Sequence, residues 1–491
     1  MAGYLTRACR KVLRLIAGSA SAPPAASEAA RIEADRLSAE IEQMRKEVHA
    51  AQATTEHLRS SVYAAAARAF ADGELDTAEA LFTCYLEASG QVDLLKDRTA
   101  TGCPAALDYE EFEPLFRAFL ASRQVAWRSS VTPLPAFLAR REAAASPLRT
   151  ARKLLFILPR YIFNSDQHVE CDMADHLCQS AANAGFDADC FFGDNILYPQ
   201  LGLNHEKAVA DLAELRTRIA TTRPDAIVFD ANFVGGDIGL NGAFLREVKA
   251  ATGTRLIGFM GDVWGTHWVT IAQYWGEVAD RLFYIVPEGR FIEACACADR
   301  MLSSPYPVNS RNFFPDPLKE YDLSFFGSHA YLRPFWLGRA LRVVNRLGLV
   351  SNIRTHARTN DCPSMAEYSR ILRHSRMVLN FSSRGRDAKI ITGRAWQALH
   401  AGTLLLEEEN DQTPQYFVPF VHYVPFENAA QLALLIEFFH KNPDLAATVG
   451  QAAAAFCIEY YSATAIWNRI LDAAMREALP PERKNSLAAT G

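Results

Sequence analysis

From residue 153 onward, short apolar runs alternate with helix-length amphipathic stretches. KLLFILP (153–159), DADCFFGD (187–194), PDAIVFD (224–230), RLIGFMGD (255–262) and DRLFYIVP (280–287) have the length and density of strands buried on both faces. Helical patterns near Leu212–Thr221 and Ala243–Ala251 separate them. After YPVNSRNFFPD (306–316), rich in Pro and Asn, the alternation restarts with DLSFFGS (322–328), SNIRTH (351–356), MVLNFSS (377–383), GTLLLEE (402–408) and HYVPF (422–426). Helices are expected at Arg333–Leu347, Met365–Ser375 and Gly393–His400, and then to about residue 478. Strands alternating with helices predict an α/β fold of two tandem doubly wound, Rossmann-like domains, 151–310 and 311–478. Ligands of such sheets bind outside the strand C-termini, so the cleft between the two domains is the expected site.

Upstream the pattern is helical. Residues 4–16, YLTRACRKVLRLI, mix four cations with apolar residues in a run too broken to span a bilayer but suited to lie on an anionic membrane surface. A solvated amphipathic helix is the equal alternative. Residues 1–27 are read as this segment plus the linker GSASAPPAAS. From Ala30 to Val62, small or apolar residues recur in alternating steps of four and three, through Leu37, Ile41, Met44, Val48 and Leu58. That repeat predicts a coiled coil over 28–62 of about four heptads, pairing two copies of the chain as a homodimer. Residues 62–90 carry two helical patterns broken at Asp72-Gly73, with Ala78 small enough for close approach. We read 63–150, including the aromatic-rich helix near Tyr109–Phe119, as a helical spacer domain and 479–491 as a flexible tail.

Composition narrows the function. The 491 residues suffice for roughly three units at about 150 residues each. At 49% hydrophobic and 22% charged, the chain is globular and neither disordered nor polytopic in a membrane. The 51 Lys and Arg against 56 Asp and Glu leave a net charge of −5, no global basic field, and so exclude nucleic acid as the main ligand. Ten scattered cysteines without a CxxC pair fit reduced thiols in a cytoplasmic protein. Cys295 and Cys297 read as one edge of a helix, not a metal site.

An ordered set of fragments carries a family resemblance. PVNSRNFFP, DLSFFGS, EYSRILRHSRMVLNFSS, GRAWQALHAGTLLLEE, HYVPFENAAQLALLI and HKNPD together resemble the C-terminal domain of the CgeB-like, spore-protein-type glycosyltransferases of the two-domain GT-B class, over about 320–472. The resemblance implies a nucleotide-diphospho-sugar donor on the second domain, a glycan, lipid-linked or protein acceptor on the first, and no metal.

Breaking the glycosidic bond builds charge on the leaving diphosphate, which calls for cations, backbone N–H groups and a helix N-terminus aimed at it. The loop SSRGRDAKIITGR (382–394) offers Arg384, Arg386, Lys389 and Arg394 just before a helix. Gly327 and Ser328 end a strand where the chain can approach a ligand, and His329 follows. Retaining relatives carry a Glu-x7-Glu pattern; here Lys389 and Gln397 stand at those positions, and Gln397 is the expected ribose contact. Gly402-Thr403 matches the family's Gly-Thr at the donor, and Glu408 its acidic position after the Leu-Leu strand.

An inverting reaction needs a base from the first domain. The candidates at strand ends are Asp166, His168, Asp230, Asp262 and His267, with Asp262 preferred and Trp264 and Trp268 as a sugar-stacking wall. An epimerase on the same architecture, or a non-catalytic binding partner, are the alternatives.

Overall fold

The computed structural model describes residues 109–139, 153–161, 170–197, 205–236, 238–261, 263–287, 295–328, 333–356, 363–384 and 388–476, together with parts of 36–88 and residues 292 and 294. The chain divides into two units, Met1–Lys96 and Asp97–Gly491.

In the first unit, residues 60–66 and 68–70 are helical and α1 spans Leu75–Ala88. Ala66, Ala78 and Phe82 are buried, and the Tyr63 ring packs on Phe82 (5.8 Å) and Tyr85 (5.3 Å), a helical hairpin turned at Asp72. Within the expected coiled coil only Arg36, Gln43, Lys46, His57 and residues 60–62 are described, all helical; the named four are exposed. The remainder of 28–62 and all of 4–16 lie outside the described residues.

The second unit opens with α2 (Tyr109–Arg128). Its apolar face, Phe112, Phe116 and Leu120, is buried, with Phe116 edge-on to Phe438 at 4.9 Å and the Gln124 amide donating to the carbonyls of Phe420 and Val421. Residues 109–139, within the helical spacer expected over 63–150, pack on the second α/β domain, because a stripe this aromatic is stable only when covered. A phenylalanine moved from water to such a site contributes about 2 kcal/mol.

The first sheet contains β1 (Lys153–Leu158), β2 (Asp187–Phe192), β3 (Ala226–Asp230), β4 (Arg255–Met260), β5 (Arg281–Tyr284) and β6 (Met301–Ser303), all parallel, in the order β2-β1-β3-β4-β5-β6. The second contains β7 (Tyr321–Ser328), β8 (Ser351–His356), β9 (Ser375–Asn380), β10 (Leu404–Glu408) and β11 (Val424–Phe426), also parallel, in the order β11-β10-β9-β7-β8. Helices cross between strands: α3 (Ser180–Asn183, entered through a π-helical turn Ala174–Gln179), α4 (His205–Thr222), α5 (Gly242–Thr252) and α6 (His267–Gly276), then α7 (Arg333–Leu347), α8 (Met365–Arg373) and α9 (Gly393–His400). The chain finishes with α10 (Ala429–Lys441), α11 (Pro443–Tyr460) and α12 (Ala463–Met475). Every side chain of β3 and β10 is buried, as strands covered on both faces require. No helix among the described residues is long and apolar enough to cross a membrane.

The last helix returns to the first domain. Trp467 of α12 is fully buried, donates from Nε1 to Ser180 Oγ (2.8 Å), and stands edge-on to Phe156 of β1 and Phe283 of β5.

Candidate functional site

Both sheets share one topological feature. The first strand of each lies between the second and the third, β2-β1-β3 and β8-β7-β9, so the connections wind to opposite sides there and open a crevice at the strand C-termini. A cavity of about 640 Å3 occupies that place. Glu170, Asp172, Asn232, Phe233, His267 and Trp268 line it from the first domain; Phe326, Tyr368, Arg384, Thr392, Gly393, Arg394 and Gln397 line it from the second.

The four cations of the 382–394 loop part company. Arg384 and Arg394 line the cavity. Lys389 is turned to the loop's base, its ammonium donating to the Glu409 carbonyl (2.9 Å) and lying 3.2 Å from Glu408 Oε1. Arg386 lies outside the described residues. The split follows from a small hairpin, with Ser383 bridging Lys389 antiparallel and the Arg384 N–H donating to the Ala388 carbonyl (2.7 Å). Buried Glu408 anchors it by accepting from the Ser383 N–H (3.0 Å) and hydroxyl (2.6 Å). Glu408 is therefore in contact with the loop's own groups, where the family pattern had suggested a donor contact.

Arg394 sits in the first turn of α9, whose N-terminus, Thr392-Gly393, also faces the cavity. Its Nη1 donates to Asn380 Oδ1 (2.8 Å), and its guanidinium lies 5.5 Å from the Phe325 ring centroid. A Cβ at Gly327 would stand 2.7 Å from the Phe325 ring and 3.4 Å from Arg394 Nη2, so this glycine makes room for the arginine and its aromatic support. Ser328 Oγ accepts from Arg333 (2.8 Å).

Gln397 is committed to the domain junction. Its Oε1 accepts from the Tyr368 hydroxyl (2.6 Å), its Nε2 donates to Asp172 Oδ2 (3.2 Å), and Nε2 lies 2.7 Å from His176 Nε2. Gln397 thus lines the cavity and also bridges the two domains. A glutamate at 397 would set a second carboxylate against Asp172, a physical reason for the carboxamide here. His176 is fully buried on the π-helical turn and accepts from the Asn309 N–H at Nδ1 (3.3 Å). Burial lowers its pKa to about 4, against the opposing pull of Asp175. Asp175 Oδ1 in turn accepts from the amides of Asn309 and Asn312 (both 2.7 Å). Asp172, Asp175 and His176 follow helical i, i+3, i+4 spacing within one short segment, the signal that could have exposed this joint.

Gly402 and Thr403 precede the N-terminal end of β10, an interior strand of the sheet, opposite the strand C-termini. Gly402 has φ +65 beyond the end of α9, a residue on its Cα would meet Pro315, and Thr403 Oγ1 donates to the Leu372 carbonyl (2.7 Å). They terminate a helix, and the residues that line the cavity do not include them.

On the first domain, Asp166, His168 and Asp262, like His329, lie outside the described residues. Asp230 is buried at the end of β3 and accepts from the Asn232 N–H (3.0 Å). His267 and Trp268 line the cavity, with Trp264 edge-on to His267 at 5.3 Å. Among the described residues, no group of three His, Cys, Asp or Glu is placed to hold a metal. Cys297 packs against Gly276, its thiol donating to the Ala272 carbonyl (3.2 Å).

Residues 311–472 match the glycosyl transferase-like family model. The matched stretch includes β7–β11 and the arginine wall of the cavity. No curated protein sequence matches the chain. Solved structures similar to it include Anabaena HepE in complex with UDP (11% identity, 65% of this chain and 98% of that one, TM-score 0.40). Sucrose-phosphate synthase from Thermosynechococcus elongatus is similar at 12% identity (65% and 96%, TM-score 0.42). A glycosyltransferase from Rickettsia africae is similar at 10% identity (66% and 97%, TM-score 0.40).

Proposed function

We propose that the protein is a glycosyltransferase that binds a nucleotide-diphospho-sugar on its second α/β domain and an acceptor on its first. The observation that carries this reading is the meeting of Arg384, Arg394 and the N-terminus of α9 on one wall of the interdomain cavity, inside the domain that matches the glycosyl transferase-like family. Two guanidiniums and a helix N-terminus supply the positive field that a departing nucleoside diphosphate needs, without a metal. The aromatic wall of Phe233, His267 and Trp268 opposite them suits a sugar or an apolar acceptor. Asp262, two residues after β4 in the sequence, is the proposed base for the acceptor hydroxyl.

Incubation with a panel of nucleotide sugars, read by nucleoside diphosphate release and mass spectrometry of the products, tests the reading. Turnover should survive EDTA, and Arg394→Ala should weaken nucleotide-sugar binding by tenfold or more, the loss of a charged hydrogen bond of about 1.5–3 kcal/mol. Unchanged binding in Arg394→Ala would sink the donor-site assignment. We further propose that 28–62 pairs two copies and that 4–16 rests on an anionic membrane; sedimentation and vesicle flotation of the chain lacking 1–62 test both.

A further inference from the structure

One buried carboxyl near the cavity has no part in the function proposed above. Glu407, next to last in β10, is fully buried. Strand alternation sends its side chain to the face opposite Glu408, so the acidic pair in LLLEE does two different things. Glu407 pairs in register with Asn380 at the end of β9, and the Asn380 amide nitrogen donates to both of its oxygens, at 3.1 and 2.8 Å. The other end of the same carboxamide accepts from Arg394 Nη1 (2.8 Å) and from the Thr392 hydroxyl (3.3 Å). Asn380 is thus polarised between a carboxyl behind it and the cleft-lining guanidinium in front.

We infer that Glu407 is a positioning residue that acts through Asn380 on Arg394, and that its protonation state sets how strongly Arg394 holds a nucleoside diphosphate. The inference rests on the donor-site reading proposed above. In its neutral form Glu407 leaves the charge of Arg394 directed to the ligand. Ionised, it sets a negative charge one side chain behind that guanidinium, competing with the diphosphate for the same field.

The surroundings decide which form prevails. Burial raises the Glu407 carboxyl to about 8, with Glu408 adding to the rise and the Asn380 hydrogen bond, Arg394 and Arg384 opposing it. The remaining groups that face it are the Asn410 amide, 3.3 Å from Oε1, and the buried Tyr423 phenol, which burial and Glu407 itself keep protonated. No lysine or histidine stands among these neighbours to take up the proton.

The experiment measures the affinity of the full chain for UDP, GDP and ADP from pH 7 to pH 9, in the wild type and in Glu407→Gln, which fixes the neutral form. The ratio of the two dissociation constants cancels ionisation of the ligand itself. It should lie near one at pH 7 and rise severalfold toward pH 9, as the carboxyl ionises. A merely structural carboxyl would leave that ratio flat. If Glu407→Gln fails to fold by circular dichroism, Asn380→Ala takes its place: it keeps the carboxyl and cuts its link to Arg394, so its pH dependence must be shallower than the wild type's. A ratio constant within twofold over the range, or an equal slope in Asn380→Ala, overturns the inference while the donor site stands. Failure of the wild type to bind any of the three diphosphates at any pH overturns the donor-site reading and this inference with it.

Discussion

Replacing Gln397 by alanine separates two roles that the sequence leaves superposed. If the side chain is the joint described above, Gln397→Ala removes one partner each from the Tyr368 hydroxyl and Asp172, and the group packed against His176. His176 is fully buried with its Nε2 2.7 Å from the lost amide, and the void left against it costs about 1 kcal/mol. The Tyr368 hydroxyl adds roughly 1 kcal/mol and the lost methylene about 0.8 kcal/mol, while Asp172, 41% exposed at its side chain, rehydrates at little cost. The expected destabilisation is about 3 kcal/mol, measured by urea denaturation with tryptophan fluorescence. Nucleoside diphosphate affinity, extrapolated to the folded protein, should change by less than about threefold, worth under 1 kcal/mol. A stability loss below about 1 kcal/mol together with a tenfold loss of affinity would refute the reasoning and restore the ribose contact.

Acid should destabilise the fold through His176 and His422, which burial lowers from 6.5 to about 4 and about 3. The unfolded chain then binds more protons below pH 6.5, so stability falls as pH drops through that window, by about 3 kcal/mol for the pair between pH 6.5 and pH 5. Glu407 has the opposite sign, its stability cost growing as pH rises from 4.5 toward 8, so Glu407→Gln should lose stability on acidification more steeply than the wild type in thermal melts. Glu408→Ala should free the 383–389 hairpin, costing about 2 kcal/mol locally; faster amide exchange there with the sheet still protected is the expected signature. Gly450→Ala would drive a Cβ to 2.3 Å from the Gly402 carbonyl oxygen, and should destabilise by about 1–3 kcal/mol in chemical denaturation.

The sheets were readable because parallel strands buried on both faces leave unbroken apolar runs such as KLLFILP and TLLLEE, and chain order then dictates where the crevice opens. Arg384 and Arg394 were readable as cations before a helix, but nothing local distinguishes them from Lys389; the hairpin that turns Lys389 away is closed by Glu408, 19 residues downstream. The place of Gln397 before the Ala-Gly step is legible, but its contacts with Asp172 and His176 are not, since they come from a segment more than 200 residues earlier. The amphipathic face of α2 was visible as aromatic periodicity, while Phe438 as its cover was not. Gly402 illustrates a further limit: a glycine before a strand reads alike whether its backbone meets a ligand or ends a helix, and only φ and the neighbouring Pro315 decide.

The return of α12 to the first domain bears on how the protein is made. Residues 151–310 leave the ribosome before the second α/β domain, yet Phe156 and Phe283 wait for Trp467, which is synthesised more than 150 residues later. Until then the nascent sheet carries an open apolar socket where the indole will lodge, a surface that invites chaperones and aggregation. A fragment ending at the crossing segment should behave as a partly folded species, whereas the same fragment supplied with a separate 311–491 chain has its missing wedge restored. The boundary that divides the two sheets in sequence is thus not a boundary for folding, and the last helix acts as the closing step of the first domain.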